Sequence, residues 1–235
     1  MTKYYYRKSS GTSRKSLRIL SLFLSLAGII IFLYVLFPLI SWQIYFAPEF
    51  RAQKIEIPIP RSVYAGAGVG SLLSYAGQSL TTDYTNAQNW YPSSRFEKLN
   101  NLNYSLSIPK IGVVDARVSS ADTDLTKHMV QFNTDTAPGR NGNTVIFGHS
   151  TLPQLFNPND YKTILANAYK IRVGDEVIVT MGSEKYTYKV QSITVVEPND
   201  TSVLAQDLSD SFITLITCTP PGTIWKRLIV KAKLT

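Results

Sequence analysis

The 235-residue chain contains a single cysteine, Cys218, and only two histidines. One cysteine excludes an internal disulfide, so the thiol is free, intermolecular or inert. Two histidines and one cysteine without close spacing also exclude a structural zinc site. We therefore predict no metal and no cofactor. The chain also lacks a phosphate-binding loop, a dinucleotide fingerprint and a paired-carboxylate motif.

Acidic residues are missing from the first 18 positions, which hold six of the 24 basic residues. The remainder carries 18 basic against 16 acidic residues, so the formal charge of +8 belongs mainly to the N-terminus. A nearly balanced body has no electrostatic footprint for nucleic acid. The sequence therefore predicts that nucleic acid is not a partner and that residues 1–18 form a basic cytoplasmic tail.

Charged residues are also missing from positions 19–40, a run of 22 mostly apolar residues. About 20 such residues span a bilayer as a helix, whereas a signal-peptide core is shorter and ends in a small-residue cleavage site. Aromatic residues suited to the membrane interface come directly after the run. The sequence predicts an uncleaved, single-pass transmembrane helix over 19–40, with Ala47-Pro48 as a weak cleavage alternative. The positive-inside rule places the N-terminus in the cytoplasm and the rest of the chain outside.

Residues 41–100 differ in composition from residues 101–235, because small and polar residues dominate them. This composition is typical of an extended stalk. From residue 101 onward, short runs of β-branched and aromatic residues alternate with turn signals. The predicted strands are 104–108, 113–118, 143–149, 176–181, 185–196, 212–218 and 225–234, with helical texture only near 124–128 and 161–168. Many short strands with few helices indicate a barrel or a sandwich.

Three residues with complementary chemistry lie at or near the ends of predicted strands. Cys218 ends the run Phe212-Ile-Thr-Leu-Ile-Thr-Cys, His149 closes Asn143-Thr-Val-Ile-Phe-Gly-His, and Arg227 lies nine residues after the cysteine. A thiol, an imidazole and a guanidinium are the components of a cysteine acyl-transfer site. The alternatives are a buried cysteine that acts as a small hydrophobic residue, a histidine bound to backbone, and a solvent-facing arginine.

The motifs around these residues resemble those of the sortases, membrane-anchored cysteine transpeptidases of the bacterial surface. Thr-Leu-Ile-Thr-Cys218 resembles the nucleophile motif, Gly148-His149-Ser150 the histidine motif, and Arg227-Leu-Ile-Val the arginine strand. Ser105-Leu-Ser-Ile-Pro-Lys-Ile-Gly-Val resembles the first strand of the sortase barrel. The resemblance spans about 104–234, and the motifs occur in the family's order. The short connection from Cys218 to Arg227 is nearest to pilin-type and related sortases.

The resemblance implies an all-β fold, a closed eight-stranded sortase barrel with short helices over residues 101–235. It implies that Cys218 is the nucleophile, that His149 is the general acid and base, that Arg227 stabilises the oxyanion, and that Thr217 lines the substrate groove. The implied partners are surface proteins or pilins with a C-terminal sorting signal of the Leu-Pro-x-Thr-Gly type, an amine acceptor on peptidoglycan or a pilin, and the lipid bilayer.

Several alternatives stay open from the sequence alone. The same barrel supports a plain cysteine peptidase, in which water replaces the amine, and a catalytically silent surface-binding domain. Some pilin-type sortases carry a lid in which an acid precedes an aromatic residue. Asn89-Trp90-Tyr91-Pro92 lacks that acid, so it is either a lid or a linker with aromatic contacts. His128 has no motif around it.

Overall fold

The computed structural model describes residues 14–41, 82–94, 101–132 and 136–235, which form two separate units. The predicted stalk falls mostly on residues 42–81 and 95–100, and the predicted basic tail mostly on residues 1–13. Both of these stretches lie outside the described residues, so the two interpretations stay predictions.

The first unit contains one long apolar helix, α1 (Arg14–Ser41). Its 28 residues correspond to a length of about 42 Å at the usual rise of 1.5 Å per residue. The stretch Ser16–Tyr34 has a mean hydropathy of 2.3, and none of it is buried within the protein. A helix with a long exposed apolar surface fits a single-pass membrane anchor.

The second unit is built on a closed barrel of eight strands, as the resemblance implies. Around the barrel the order is β1-β2-β3-β4-β7-β8-β6-β5, and β5 pairs with β1 to complete the closure. The strands are β1 (Asn103–Ile108), β2 (Val113–Ser119), β3 (Met129–Gln131), β4 (Gly142–Phe147), β5 (Glu176–Met181), β6 (Glu184–Val196), β7 (Ser211–Thr219) and β8 (Lys226–Leu234).

Seven of these strands coincide with predicted ones, and the predicted turn at Gly182 joins β5 to β6. Gly182 has a φ of 63°, a left-handed conformation that a glycine adopts without a steric penalty. The stretches 124–128 and 161–168 contain no α-helix, the second one ends at the start of the 3₁₀ turn Ala168–Lys170, and the other short helices near the barrel are also single 3₁₀ turns. The sequence prediction missed β3, a strand of three residues.

Side chains along each strand point alternately to its two faces, and this divides the buried apolar residues between two clusters. One fills the barrel interior and includes Leu106, Val179 and Leu215. The other lies on the outer face of β4, β7 and β8, and it includes Phe147 and Cys218. Every residue of β4 and β7 is buried, because one face of each strand lies inside the barrel and the other is covered by other parts of the chain.

Candidate active site

The pairing of β7 with β8 brings the cysteine and the arginine together. Cys218 and Arg227 are direct partners in this antiparallel ladder, and the arginine Nη1 lies 3.5 Å from the cysteine Sγ. The same Nη1 donates to the carbonyl of Ile224 at 3.0 Å. Arg227 is only 1% exposed. A cation is thus held against the thiol in a buried environment.

His149 lies just beyond the end of β4, beside the end of β7. The two strands are parallel, with Phe147 opposite Ile216, and the Gly148 amide continues the ladder by donating to the Ile216 carbonyl at 3.2 Å. This register brings His149 level with Cys218. The Ser150 hydroxyl donates to the Cys218 carbonyl at 2.6 Å, which ties the two strand ends together. The fold thus places all three predicted catalytic residues at one end of neighbouring strands.

Aromatic side chains from residues 82–94, which we call the covering segment, lie over this end of the sheet. The Trp90 ring centre is 5.0 Å from the Arg227 Cζ and 5.8 Å from the centre of the His149 ring. The Tyr84 ring also lies 5.7 Å from the Arg227 Cζ. Beneath them, Trp90 stacks on Phe147 at 5.4 Å. A guanidinium over an aromatic face is an attractive arrangement.

Backbone pairing holds the covering segment against the barrel. Asn86 bridges Asp124, the Ala87 amide donates to the Thr123 carbonyl at 2.8 Å, and the Leu125 amide donates to the Thr85 carbonyl at 2.8 Å. Under this cover, Cys218 is only 5% exposed. Cys218 belongs to the same buried cluster as Trp90 and Tyr91 of the covering segment. The sequence indicated either a lid or a linker with aromatic contacts, and it did not indicate contacts with Arg227 and His149.

Burial shifts the pKa values of Cys218 and His149 in opposite directions. It raises the pKa of the Cys218 thiol, although the Arg227 charge opposes this shift. It lowers the pKa of His149, although the Asp83 carboxylate opposes that shift. Both shifts result from the cost of holding a charge in a dry environment. The covered site therefore favours a neutral thiol beside a neutral imidazole.

Several buried polar atoms at this site have no hydrogen-bond partner among the described residues. They are the His149 Nε2, the Arg227 Nε and the Tyr91 hydroxyl. Unpaired buried polar groups are rare in folded proteins, because each one loses its hydrogen bond to water. Their concentration around a thiol is typical of a site that binds a polar group.

Thr217 was predicted to line the substrate groove, and the structure gives its side chain a different contact. The buried hydroxyl donates to the Gly148 carbonyl at 2.7 Å. Neighbouring residues of a strand point to opposite faces, so the Thr217 side chain points away from the face that carries Cys218. The contact connects β7 to the residue that precedes His149.

The other histidine, His128, lies away from the three predicted catalytic residues. Its Nδ1 contacts the Met129 carbonyl at 2.8 Å, and its Nε2 contacts an Asp122 carboxylate oxygen at 3.1 Å. These contacts hold the turn before β3. Among the described residues, no group of three or more histidine, cysteine, aspartate or glutamate side chains is placed to hold a metal ion.

Comparison with known proteins identifies the domain that carries this site. Residues 106–235 match the sortase domain family. The chain is 26% identical over 132 residues to sortase D of Bacillus subtilis (strain 168), a match that covers 54% of this chain and 61% of that protein. The matched part is thus less than two thirds of that relative.

The chain is also similar to solved structures of other sortases. Sortase C-1 from Actinomyces oris is 21% identical to this chain and has a TM-score of 0.51. The alignment covers 75% of this chain and 99% of that one. This match supports the fold. A Clostridium perfringens sortase D5 transpeptidase is 26% identical, with a TM-score of 0.47 over 69% of this chain and 94% of that one.

Proposed function

This chain belongs to the sortase family, and we propose that it is a cysteine transpeptidase of the cell surface. It cleaves a sorting signal of the Leu-Pro-x-Thr-Gly type in surface proteins or pilins and joins the new carboxyl end to an amine. The observation that carries the proposal is the contact between the Arg227 Nη1 and the Cys218 Sγ, with His149 at the adjacent strand end.

The proposed reaction proceeds in two acyl transfers. The Cys218 thiolate attacks the carbonyl carbon of the cleaved peptide bond, and Arg227 donates hydrogen bonds to the oxygen as it becomes negative. His149 then protonates the departing amine, which leaves a thioester on the cysteine. An incoming amine attacks the thioester and transfers a proton to His149, and the Cys218 thiolate leaves, which restores the thiolate and imidazolium of the starting state.

The acceptor in this proposal is an amine rather than water, as the family resemblance implies. A plain peptidase on the same fold replaces the amine with water, and the products formed with and without an added amine distinguish the two.

Thr217 and Ser150 fit a positioning role in this reaction. Each hydroxyl donates to a backbone carbonyl across the β4–β7 boundary, at Gly148 and at Cys218. These bonds hold the histidine and cysteine strand ends in a fixed relation. We propose this positioning role for Thr217.

The apolar helix and the basic N-terminal tail support membrane attachment, with the N-terminus in the cytoplasm and the barrel outside. Outside the membrane, the barrel meets both sorting-signal proteins and amines of the cell wall. The proposed orientation rests on the excess of lysine and arginine before the helix.

The test is to incubate the full chain in detergent with Leu-Pro-x-Thr-Gly peptides and mixed amines, and to monitor the products by intact mass. A thioester on Cys218 that resolves onto an amine is the expected result. Hydrolysis with every amine supplied supports the peptidase alternative. A folded protein that forms no adduct contradicts the proposed activity.

The pKa directions predict a bell-shaped dependence of kcat/KM on pH. The active ion pair needs a thiolate and a protonated imidazole, while the pKa of Cys218 is raised and that of His149 is lowered. Between the two pKa values the ion-pair fraction is small and constant. Activity therefore falls at acid pH as the thiolate is lost to protonation, and at alkaline pH as the imidazolium is lost.

The free enzyme is the covered form, so kcat/KM should fall on the acid side only below the usual pKa range of histidine. On the alkaline side it should fall only above the usual pKa range of cysteine. The measurement is kcat/KM for one peptide across mildly acidic to strongly alkaline buffers. A rate that already falls near neutral pH on the alkaline side contradicts the assigned directions.

Replacing Trp90 by alanine is expected to open the site. The change removes the ring that contacts Arg227, His149 and Phe147. A buried tryptophan contributes about 3–5 kcal/mol of packing. We therefore expect alkylation of the thiol to accelerate at least about tenfold. Because Cys218 is the only cysteine, the alkylation rate reports this site alone.

The matched variant is Trp90→Phe, which keeps an aromatic ring but loses the bond from the indole Nε1 to the Tyr84 carbonyl, 2.8 Å long. Its alkylation rate is expected to lie between those of the wild type and Trp90→Ala. Equal rates in all three folded proteins would show that the covering segment does not limit access.

A further inference from the structure

The covering segment contains a buried hydroxyl that the proposed reaction does not use. Tyr91 follows the 3₁₀ turn Ala87–Trp90 and is only 1% exposed. Its hydroxyl has no hydrogen-bond partner among the described residues. A buried hydroxyl without a partner destabilises the fold, because it has lost its hydrogen bonds to water. A segment that only covered the site would be more stable with phenylalanine at this position.

Packing places Tyr91 beside the thiol. The centre of its ring lies 5.7 Å from the centre of the Phe147 ring, and Phe147 is paired with Ile216 of β7. Ile216 and Cys218 are two residues apart, so their side chains lie on the same face of that strand. Tyr91 and Cys218 are accordingly members of one buried cluster.

The charges of the site act on the Tyr91 phenol. Burial raises the pKa of Tyr91, the Arg227 guanidinium opposes this shift, and the charges of Asp200 and Cys218 add to it. The phenol therefore lies within electrostatic reach of both the guanidinium and the thiol. Because its pKa is raised, the phenol keeps its proton, and a protonated phenol is a hydrogen-bond donor.

Hydrogen bonds hold the backbone around Tyr91 in place. The Ser94 amide donates to the Tyr91 carbonyl at 3.0 Å, and the Gln88 side-chain amide donates to the Ser94 carbonyl at 2.6 Å. On the other side, the Trp90 indole donates to the Tyr84 carbonyl at 2.8 Å. A donor on a fixed backbone needs little reorganisation when charge develops next to it.

The oxygen of the reacting carbonyl requires donors beyond Arg227. Attack by the thiolate makes this oxygen negative, and enzymes usually stabilise such an oxyanion with more than one hydrogen bond. β7 ends at Thr219, and the next two residues are Pro220 and Pro221. Proline has no amide hydrogen. The connection that directly follows the nucleophile strand therefore begins without a backbone donor.

Tyr91 is the buried side-chain donor that is placed to fill this role. Apart from His149 and Arg227, the described residues contain four buried side-chain atoms without a partner, in Tyr91, Thr136, Asn167 and Thr219. Thr219 is adjacent to Cys218, so its side chain points to the opposite face of β7. Thr136 precedes β4, at the far end of that strand. The unpartnered atom of Asn167 is the Oδ1, which only accepts.

We propose that Tyr91 is a further catalytic residue, whose hydroxyl donates a hydrogen bond to the oxygen of the reacting carbonyl, next to Arg227. The phenol transfers no proton, so the bonds that form and break are those of the two acyl transfers. Thr85 and Ala87 attach the covering segment to the barrel close to Tyr91, which keeps the hydroxyl near the thiol when a peptide enters. The proposal rests on the proposed function, because the oxyanion arises in acyl transfer to the thiol.

The experiment compares acylation with alkylation of Cys218 in the full chain in detergent, with Tyr91→Phe, which removes only the hydroxyl. The acyl donors are a Leu-Pro-x-Thr-Gly peptide and p-nitrophenyl acetate, and the alkylating agent is iodoacetamide. Acylation passes through an oxyanion, whereas alkylation occurs at a methylene carbon and forms none. We expect acylation by both donors to fall about 10²-fold. Alkylation should be unchanged, and the thermal midpoint should be unchanged or raised.

Tyr104→Phe is the matched control. Tyr104 is buried in the barrel interior, and its hydroxyl donates to the Gln131 Oε1 at 2.9 Å. The same chemical change should here lower the thermal midpoint, because a buried acceptor loses its donor. Acylation and alkylation of Cys218 should both stay at the wild-type rate. The two variants thus separate the loss of a catalytic donor from the loss of a structural hydrogen bond.

Three results overturn the role of Tyr91: unchanged acylation in Tyr91→Phe, equal changes in acylation and alkylation, or loss of both reactions with a lower thermal midpoint. Peptide acylation and amine transfer that do not depend on Tyr91 contradict the donor and leave the transpeptidase standing. Tyr91-dependent acylation by the ester, without acylation by any peptide, supports the donor and contradicts the transpeptidase. A wild-type thiol that neither donor acylates contradicts both.

Discussion

Replacing Cys218 by alanine is expected to lower the rate of sorting-peptide cleavage by at least about 10⁴-fold, because no other group can form the thioester. The described residues place no second nucleophile against Arg227. The intact-mass experiment should show no adduct with any peptide, and amine transfer should fall to the background rate.

The thermal midpoint separates loss of chemistry from loss of fold. The side chain is small and buried in an apolar cluster, so alanine removes only one atom's contacts and the midpoint should change little. Cys218→Ser provides the second comparison, because it keeps the shape but has a far weaker nucleophile. An adduct that persists in Cys218→Ala would assign the reaction to another residue.

Replacing Arg227 by lysine is expected to lower kcat by about 10²–10³-fold, the usual effect of removing an oxyanion donor. Lysine keeps the charge but lacks the planar fork. The guanidinium is held by the Ile224 carbonyl, by the thiol and by two aromatic faces. The lysine ammonium is not planar, so it cannot contact the carbonyl, the thiol and both aromatic faces at the same time.

Lys226→Ala is the matched control for this prediction. Lys226 is adjacent to Arg227, but it is half-exposed and paired with Glu197. Because neighbouring strand residues face opposite sides, its loss should leave kcat unchanged and alter stability by less than about 1 kcal/mol. Equal kcat values for Arg227→Lys and the wild type would remove Arg227 from the oxyanion role.

Most strands of the barrel were predictable because they carry local signals. β5, β6, β7 and β8 are runs of β-branched and aromatic residues with turn residues between them. β3 was missed because its three residues come after Leu125-Thr-Lys-His128, a stretch with helical texture. This strand exists because it pairs with β2 on one side and β4 on the other, a condition that no local pattern expresses.

The position of the covering segment also depends on contacts between distant parts of the chain. Its composition indicates a polar linker, and its aromatic residues have no partner nearby in sequence. Trp90 contacts Phe147, His149 and Arg227, which lie more than 50 residues further along the chain. Only closure of the barrel brings these residues together. Thr217 is a second case, because its hydroxyl is directed by the position of the Gly148 carbonyl on a neighbouring strand.

Local patterns were sufficient to predict the apolar helix, seven of the eight strands and the three residues of the candidate site, because strand texture, a long uncharged run and a motif are all local properties of the chain. They left a barrel and a sandwich open, and the closed barrel came from the family resemblance. The folded arrangement was needed to establish how the site is covered and in which direction its pKa values move. Burial and electrostatic environment arise from contacts between distant segments, and these contacts form only when the barrel closes.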